Sequence, residues 1–274
     1  MEDKPDRKIR IMGIVNLTDD SFYAGSRRLG ADGSFDAAMF LSRIDSMLSE
    51  GAHIIDLGAC STRPGSESIS EEVEWGRLEP ALSLLASERP GLSLSIDTFR
   101  PGLLSKAFDI VGPFIVNDVS GGSKAMWRTV GKLGLGYVAM HTRGTPKDMQ
   151  SLTDYDDILE DVKSFFRGIA QAADKFGVKD WILDPGFGFA KTVEQNWLLL
   201  RELAEFKEFG RPILAGLSRK SFLYKPLGIG PEDALPATCA ANLIALQNGA
   251  SILRVHDVAP ARQIIEVLAS PKSA

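Results

Sequence analysis

Cysteine is scarce in this 274-residue chain, with Cys60 and Cys239 its only two. Two thiols cannot build the disulfide framework of a small secreted domain, and free cysteines in a reducing cytoplasm are the expectation. Histidine is also scarce for a metalloprotein: there are three. No His/Cys cluster has zinc spacing, and His141 and His256 stand too far from other ligands to make such a site themselves. No apolar run approaches the ~18 residues of a membrane span. The opening MEDKPDRKIR is charged and lacks the apolar h-region of a signal peptide. Basic charge does not predominate either; a net charge of −5 speaks against a nucleic-acid or membrane-surface face. Phosphate loops and hydrolase elbows are also missing. DPGFGFAK contains GFGFAK without the GK[ST] ending of a P-loop, its GxG lacks the third glycine of a dinucleotide fingerprint, and there is no GxSxG.

What is present is alternation. Short apolar runs at 9–15, 53–57, 92–96, 114–116, 137–140, 181–183, 212–215 and 251–255 read as strands. Between them lie segments with apolar residues three and four apart, such as SFDAAMFLSRIDSMLSEG and YDDILEDVKSFFRGIAQAADKFG. Several end at a glycine, Gly51, Gly177 or Gly249, as left-handed helix caps do. Strands apolar on both faces imply a parallel sheet covered by helices. Eight such βα units suit a single-domain (β/α)8 TIM barrel of the α/β class, which typically takes ~250 residues. An open doubly wound sheet is the rival. One domain over 1–274 is expected, with 1–8 and 270–274 as loose tails.

In a barrel, chemistry gathers where strands end at their C-termini. The residues there are Asn16, then Asp56 followed by Thr62 and Arg63, Asp97, the pair Asn117 and Asp118, His141, Asp184, the run Ser218-Arg219-Lys220-Ser221, and Arg254 with His256. Any one of them is explicable as a cap or turn former; polar residues at all eight ends are harder to explain that way. Asp97, Asn117, Asp184 and Lys220 offer acceptors, an amide and a cation to a flat nitrogen-rich ring. Asn16, Arg63, Arg254 and His256 suit an anion, with an oxygen ligand for Mg²⁺. The residues by themselves point to transfer chemistry on an anionic substrate at a polar barrel mouth.

Eight blocks then stand in a telling order: MGIVNLTDDSF, IIDLGACSTRPGS, SIDT, FIVNDVSGG, MHTRGTPKDMQ, ILDPGFGFAKT, GLSRKS and LRVHD. Their order and spacing resemble the dihydropteroate synthases over about residues 10–269. The resemblance implies a cytoplasmic homodimer that joins 6-hydroxymethyl-7,8-dihydropterin diphosphate to 4-aminobenzoate with Mg²⁺. It implies pterin binding by Asp97, Asn117, Met140, Asp184, Phe189, Lys220 and Arg254, and diphosphate contacts from Asn16, Arg63, Arg254 and His256. Asn16 is then the Mg²⁺ ligand. Thr62, Pro64, Phe189, Lys220 and Ser221 frame the aminobenzoate, with Ser221 at a helix start whose dipole favours a carboxylate. Asp97, Lys220, Arg63, Arg254 and His256 carry the chemistry. Mg²⁺ and the three cationic or potentially cationic residues Arg63, Arg254 and His256 neutralise the leaving pyrophosphate. Asp97 stabilises a methylene cation, and the aniline attacks without a protein nucleophile.

Two departures stand out. The family's first loop usually carries Pro and a second Asp where this chain has Asp19 and Ala24. Slower or looser loop closure is expected, with activity retained. A methyltetrahydrofolate-using methyltransferase would use the pterin set but has no use for STRPG and SRKS. A non-catalytic pterin binder has only Asp19 and Ala24 in its favour. Asp56 reads as structural, bonding loop amides; His141 and Asp118 read equally as site or bracing residues; and Cys60 reads as a small loop residue. Helices around CAANLIALQNG and PARQIIEVLAS are candidates for the dimer face or plain core, and an intact aminobenzoate pocket implies sulfonamide sensitivity.

Overall fold

The computed structural model describes residues 9–17, 35–61 and 69–270. Its strands are β1 (Arg10–Asn16), β2 (Ile54–Gly58), β3 (Leu94–Asp97), β4 (Ile115–Asp118), β5 (Gly136–Met140), β6 (Trp181–Asp184), β7 (Leu214–Ala215) and β8 (Ile252–Val255). The helices are α1 (Ala37–Glu50), α2 (Glu71–Glu88), α3 (Pro101–Val111), α4 (Lys124–Leu133), α5 (Ile158–Phe176), α6 (Val193–Arg201), α7 (Ser221–Tyr224), α8 (Leu235–Gln247) and α9 (Val258–Ala269). All strand pairs are parallel, in the order β6-β5-β4-β3-β2-β1-β8-β7. A bridge between Leu183 and Ile213, with the Leu183 N–H donating to the Pro212 carbonyl at 2.9 Å, joins β6 to the approach of β7. The order is that of the chain itself, run round a ring, so the barrel replaces the open doubly wound alternative.

Local chemistry explains the elements. Asp36 caps α1 by accepting from the Met39 N–H, and Gly51 ends it at φ +108°. Asp157 caps α5, whose first turn holds Glu160 and Asp161 against the positive end of the helix, and Gly177 closes it in the left-handed region. The expected strands are found with small shifts that have a cause. β7 begins at Leu214, not Pro212, because proline has no N–H to give a ladder. β3, β4 and β6 each run on into the polar residues that end the apolar run, so Asp97, Asn117 and Asp184 sit on rigid strand rungs.

Alternation divides the core. Met12, Ile54, Val138, Ile182, Leu214 and Ile252, with Ile115 beside them, form a small cluster separate from the main one. Their shared strand parity makes them the barrel's interior floor. Residues of the opposite parity, such as Val15, Leu57, Val116, Leu183 and Leu253, belong to the large cluster between sheet and helices. Each fully buried aliphatic side chain contributes about 1.5–3 kcal/mol. Among the described residues no helix is long and apolar enough to cross a membrane.

Candidate active site

One step up the strands from that floor, the same inward parity brings Asp56, Asp97, Asn117, Met140, Asp184 and Arg254 to the mouth. Asp97 pairs in register with Asn117, and Met140 with Asp184. The barrel interior is therefore apolar below and charged above. Gly58 has the room that a side chain would take: a Cβ there would lie 3.8 Å from Asn16 Oδ1 and 3.5 Å from Asp97 Cβ. Asn16 and Asp97 thus flank one bare strand end.

Four of these residues form one hydrogen-bonded chain. Arg254 Nε donates to Asp56 Oδ2 at 2.7 Å and its Nη2 to Asp97 Oδ2 at 2.6 Å. Asn117 Nδ2 donates to the same Asp56 oxygen at 3.3 Å. Asp56 was expected to bond loop amides; it instead holds two site side chains, because the inward parity of β2 points it across the barrel. Burial pushes Asp97 up to about 7, with Asp56 adding to the rise and Arg254 opposing it. Burial works against the charge on Arg254, but Asp56 and Asp97 outweigh it and keep the guanidinium protonated. Asp97 Oδ1 is buried and has no hydrogen-bond partner among the described residues.

The other half of the mouth is built by the chain leaving β6 and β7. Asp184 Oδ1 accepts from the Gly186 N–H at 2.8 Å, and burial raises its pKa while Gly186 and the charges of Lys220 and Arg254 oppose the rise. Lys220 Nζ lies 4.2 Å from the Phe189 ring centroid. Arg219, at φ +53°, turns the chain between Ser218 and Lys220 and is held by a two-point pair with Asp257, Nε to Oδ2 at 2.9 Å and Nη2 to Oδ1 at 3.0 Å. Ser221 opens α7, which has only four residues. The expected dipole is correspondingly small, and an anion there would rely on local N–H groups and the hydroxyl. His256 Nδ1 sits 3.0 Å from Ser218 Oγ. Burial, then Arg254, pulls His256 down to about 4, so it enters the site neutral and offers a hydrogen bond where a charge was expected.

Two further strand-end residues face away. Asp118 accepts from Tyr137 OH at 2.8 Å and from Ser120 N–H and Oγ at 2.8 and 2.6 Å, bracing the turn after β4. His141 lies between Asp161 of α5, 3.0 Å from Nε2, and Lys191, 3.0 Å from Nδ1. Strand alternation settles both: each directly follows an inward residue. Sequence reasoning missed Lys191, which is buried; DPGFGFAK drew attention only as a failed phosphate loop. Thr62, Arg63 and Pro64, with Asp19 and Ala24, lie outside the described residues.

Among the described residues no group of three or more His, Cys, Asp or Glu could hold a metal by itself. A cavity of about 740 Å³ opens between α4 and α5 and is lined by His141, Arg143, Asp161 and Phe165 among others. It does not coincide with the polar mouth, and the converging inward side chains are the better guide to chemistry.

A pterin-ring site fits this constellation, and the comparisons agree on the class: residues 12–256 match the family described as pterin binding enzyme. A dihydropteroate synthase of Synechocystis sp. is 40% identical over 266 residues, covering 95% of this chain and 89% of that protein. The Yersinia pestis dihydropteroate synthase solved with a sulfonamide drug complex superposes with a TM-score of 0.86 at 33% identity, covering 97% of this chain and 94% of that one. The Thermus thermophilus enzyme in complex with 4-aminobenzoate gives 0.84 at 35%, covering 97% and 95%. The chain belongs to the dihydropteroate synthase family, transferase enzymes of folate biosynthesis.

Proposed function

We propose that the polar mouth binds 6-hydroxymethyl-7,8-dihydropterin diphosphate and that 4-aminobenzoate enters beside Lys220, Phe189 and Ser221. The observation that carries this reading is Asp97 Oδ1, buried and without a partner among the described residues, beside the Asp56–Arg254–Asn117 network, with Asp184 across the mouth. A pterin presents N–H donors on its pyrimidine edge and a carbonyl oxygen. Asp184 and Asp97 accept from the donors, Asn117 pairs beside them, Lys220 reaches the oxygen, Met140 lies under the ring and Arg254 stacks on it. A methyltetrahydrofolate-using methyltransferase would have no role for Ser221 and Lys220 in a second pocket.

The charge balance refines the chemistry. The described mouth holds the acids Asp56, Asp97 and Asp184 against the bases Arg254 and Lys220, and Arg254 is already claimed by two carboxylates. Such a mouth has little positive charge to spare for a diphosphate. A hard divalent cation suits it: Asn16 supplies an oxygen beside Asp97, and Mg²⁺ usually takes its remaining ligands from substrate phosphates and waters. When bound, the ion neutralises charge on the departing pyrophosphate. His256 donates a hydrogen bond to the diphosphate, and Arg63 is the further cation proposed for it. The methylene C–O bond breaks, its electron pair leaves with pyrophosphate, and ionised Asp97 stabilises the methylene cation electrostatically. The aniline nitrogen then forms the C–N bond and releases its proton to solvent. A secondary isotope effect at the methylene well above unity supports this order; one near unity would indicate a tight displacement.

The chain is proposed to act as one barrel domain in the cytoplasm and as a homodimer, with exposed Val267 on α9 a candidate contact. The Yersinia pestis complex makes sulfonamide competition with 4-aminobenzoate the matching expectation. Pyrophosphate release with both substrates, with and without Mg²⁺, tests the whole reading. Release that fails to appear with both substrates and metal present would reduce the chain to a pterin binder.

A further inference from the structure

The loop that follows Asp184 is held through its backbone. The Gly188 N–H donates to Asn196 Oδ1 at 2.7 Å, the Gly188 carbonyl accepts from Gln150 Nε2 at 3.2 Å, and the Ala190 carbonyl accepts from Tyr155 OH at 3.0 Å. The Gly186 and Phe189 carbonyls both accept from Lys191 Nζ at 3.0 Å. That ammonium also lies 3.0 Å from His141 Nδ1 and 3.3 Å from the His141 carbonyl on the end of β5. An ammonium has three N–H groups, and the three acceptors at 3.0 Å use them all. Among the described residues no acid bonds the ammonium; its partners are carbonyls and a neutral ring.

Resting on the pterin site proposed above, we propose that Lys191 is a positioning residue: its ammonium fixes Asp184 and Phe189 for substrate, with His141 as the neutral acceptor that completes its shell. The connections are short. The Gly186 peptide gives its carbonyl to Lys191 and its N–H to Asp184 Oδ1. The Phe189 peptide gives its carbonyl to the same ammonium, while its ring carries Lys220. One buried cation therefore sets the rotamer of the pterin carboxylate and the place of the aromatic wall. His141 suits its part because burial, then Lys191, pulls it down to about 3. Its Nε2–H donates to Asp161, which leaves Nδ1 to accept. Burial also pulls Lys191 down to about 7, against the charge of Asp184. The charge of Asp161 likewise favours the ammonium form, while the carbonyls and the His141 ring fix where it points.

The test separates positioning from plain packing. Asparagine at 141 can place an acceptor near the former Nδ1, whereas glutamine places its amide near the former Nε2. Both delete the ring that packs on Phe165. Binding of the dihydropterin diphosphate in Mg²⁺ is measured by calorimetry, beside thermal melting. Lys191→Met and His141→Gln should each raise Kd at least about tenfold, and His141→Asn should stay within about threefold. Equal losses in the asparagine and glutamine variants, or native binding by Lys191→Met, would overturn the positioning role. Should Lys191→Met fail to fold, the His141 pair decides alone. A wild-type chain that binds no pterin and releases no pyrophosphate would remove the site reading, and this inference with it.

Discussion

Arg254 and Asp97 meet at 2.6 Å across 157 residues of chain, and the same guanidinium reaches Asp56 at 2.7 Å. Two buried carboxylates therefore depend on one cation. Arg254→Met leaves both uncompensated and should cost about 3–5 kcal/mol in stability. Activity should fall by about 100-fold or more, the order expected when a reacting group shifts by an ångström. Urea denaturation and kcat/KM on the same preparation check both; an unchanged midpoint would show that the pair contributes nothing net.

Asp97 supplies a pH signature. Its carboxyl sits at about 7 in the free protein, where burial and Asp56 raise it, with smaller contributions from Glu74 and Asp118, and Arg254 opposes. Pterin N–H donors on Oδ1 favour the ionised form and lower that value. Binding near pH 7 should release a fraction of a proton, and affinity should be lost as pH falls through about 7. Calorimetry in buffers of different ionisation enthalpy measures the release. Proton uptake on binding would contradict the assignment.

Phe189 and Lys220 give a smaller effect. The Lys220 ammonium over the ring is worth about 0.5–2 kcal/mol. Phe189→Ala should raise KM for 4-aminobenzoate by about 2- to 30-fold while melting cooperatively. An effect confined to kcat would place Phe189 outside the second pocket.

Gly186 is the loop position least able to change. It sits at φ +70°, and a Cβ would overlap the His141 carbonyl. Gly186→Ala combines a left-handed penalty of about 1–2 kcal/mol with a displaced loop. Pterin affinity should fall at least about tenfold, read by the same titration. Native affinity would mean that Asp184 does not need this turn.

Strand alternation accounts for what the sequence made legible. Runs such as IIDLG and WILD announce buried parallel strands, and the Asp that each carries marks the mouth. Parity alone separates Asn117 from Asp118 and Met140 from His141, once one residue of each strand is known to face inward. Long-range pairing was not legible. Nothing near Asp56 in the chain points to Arg254, and a lysine after GFGFA gives no sign that its ammonium folds back on its own loop. The neutrality of His256 was equally hidden, since it follows from burial and from Arg254, both products of ring closure.

The ring is not equally strong all round. β1 and β2 share five register pairs, whereas β7 has two residues, both paired to β8, and meets the β6 side through the Leu183–Ile213 bridge. That seam runs between Asp184 and the SRKS turn that carries Lys220. Breathing of the barrel should therefore start inside the substrate site, with the β7 amides exchanging before those of β1 and β2. A substrate gripped from both banks acts as a staple across the joint, so ligand binding and closure of the fold become one event.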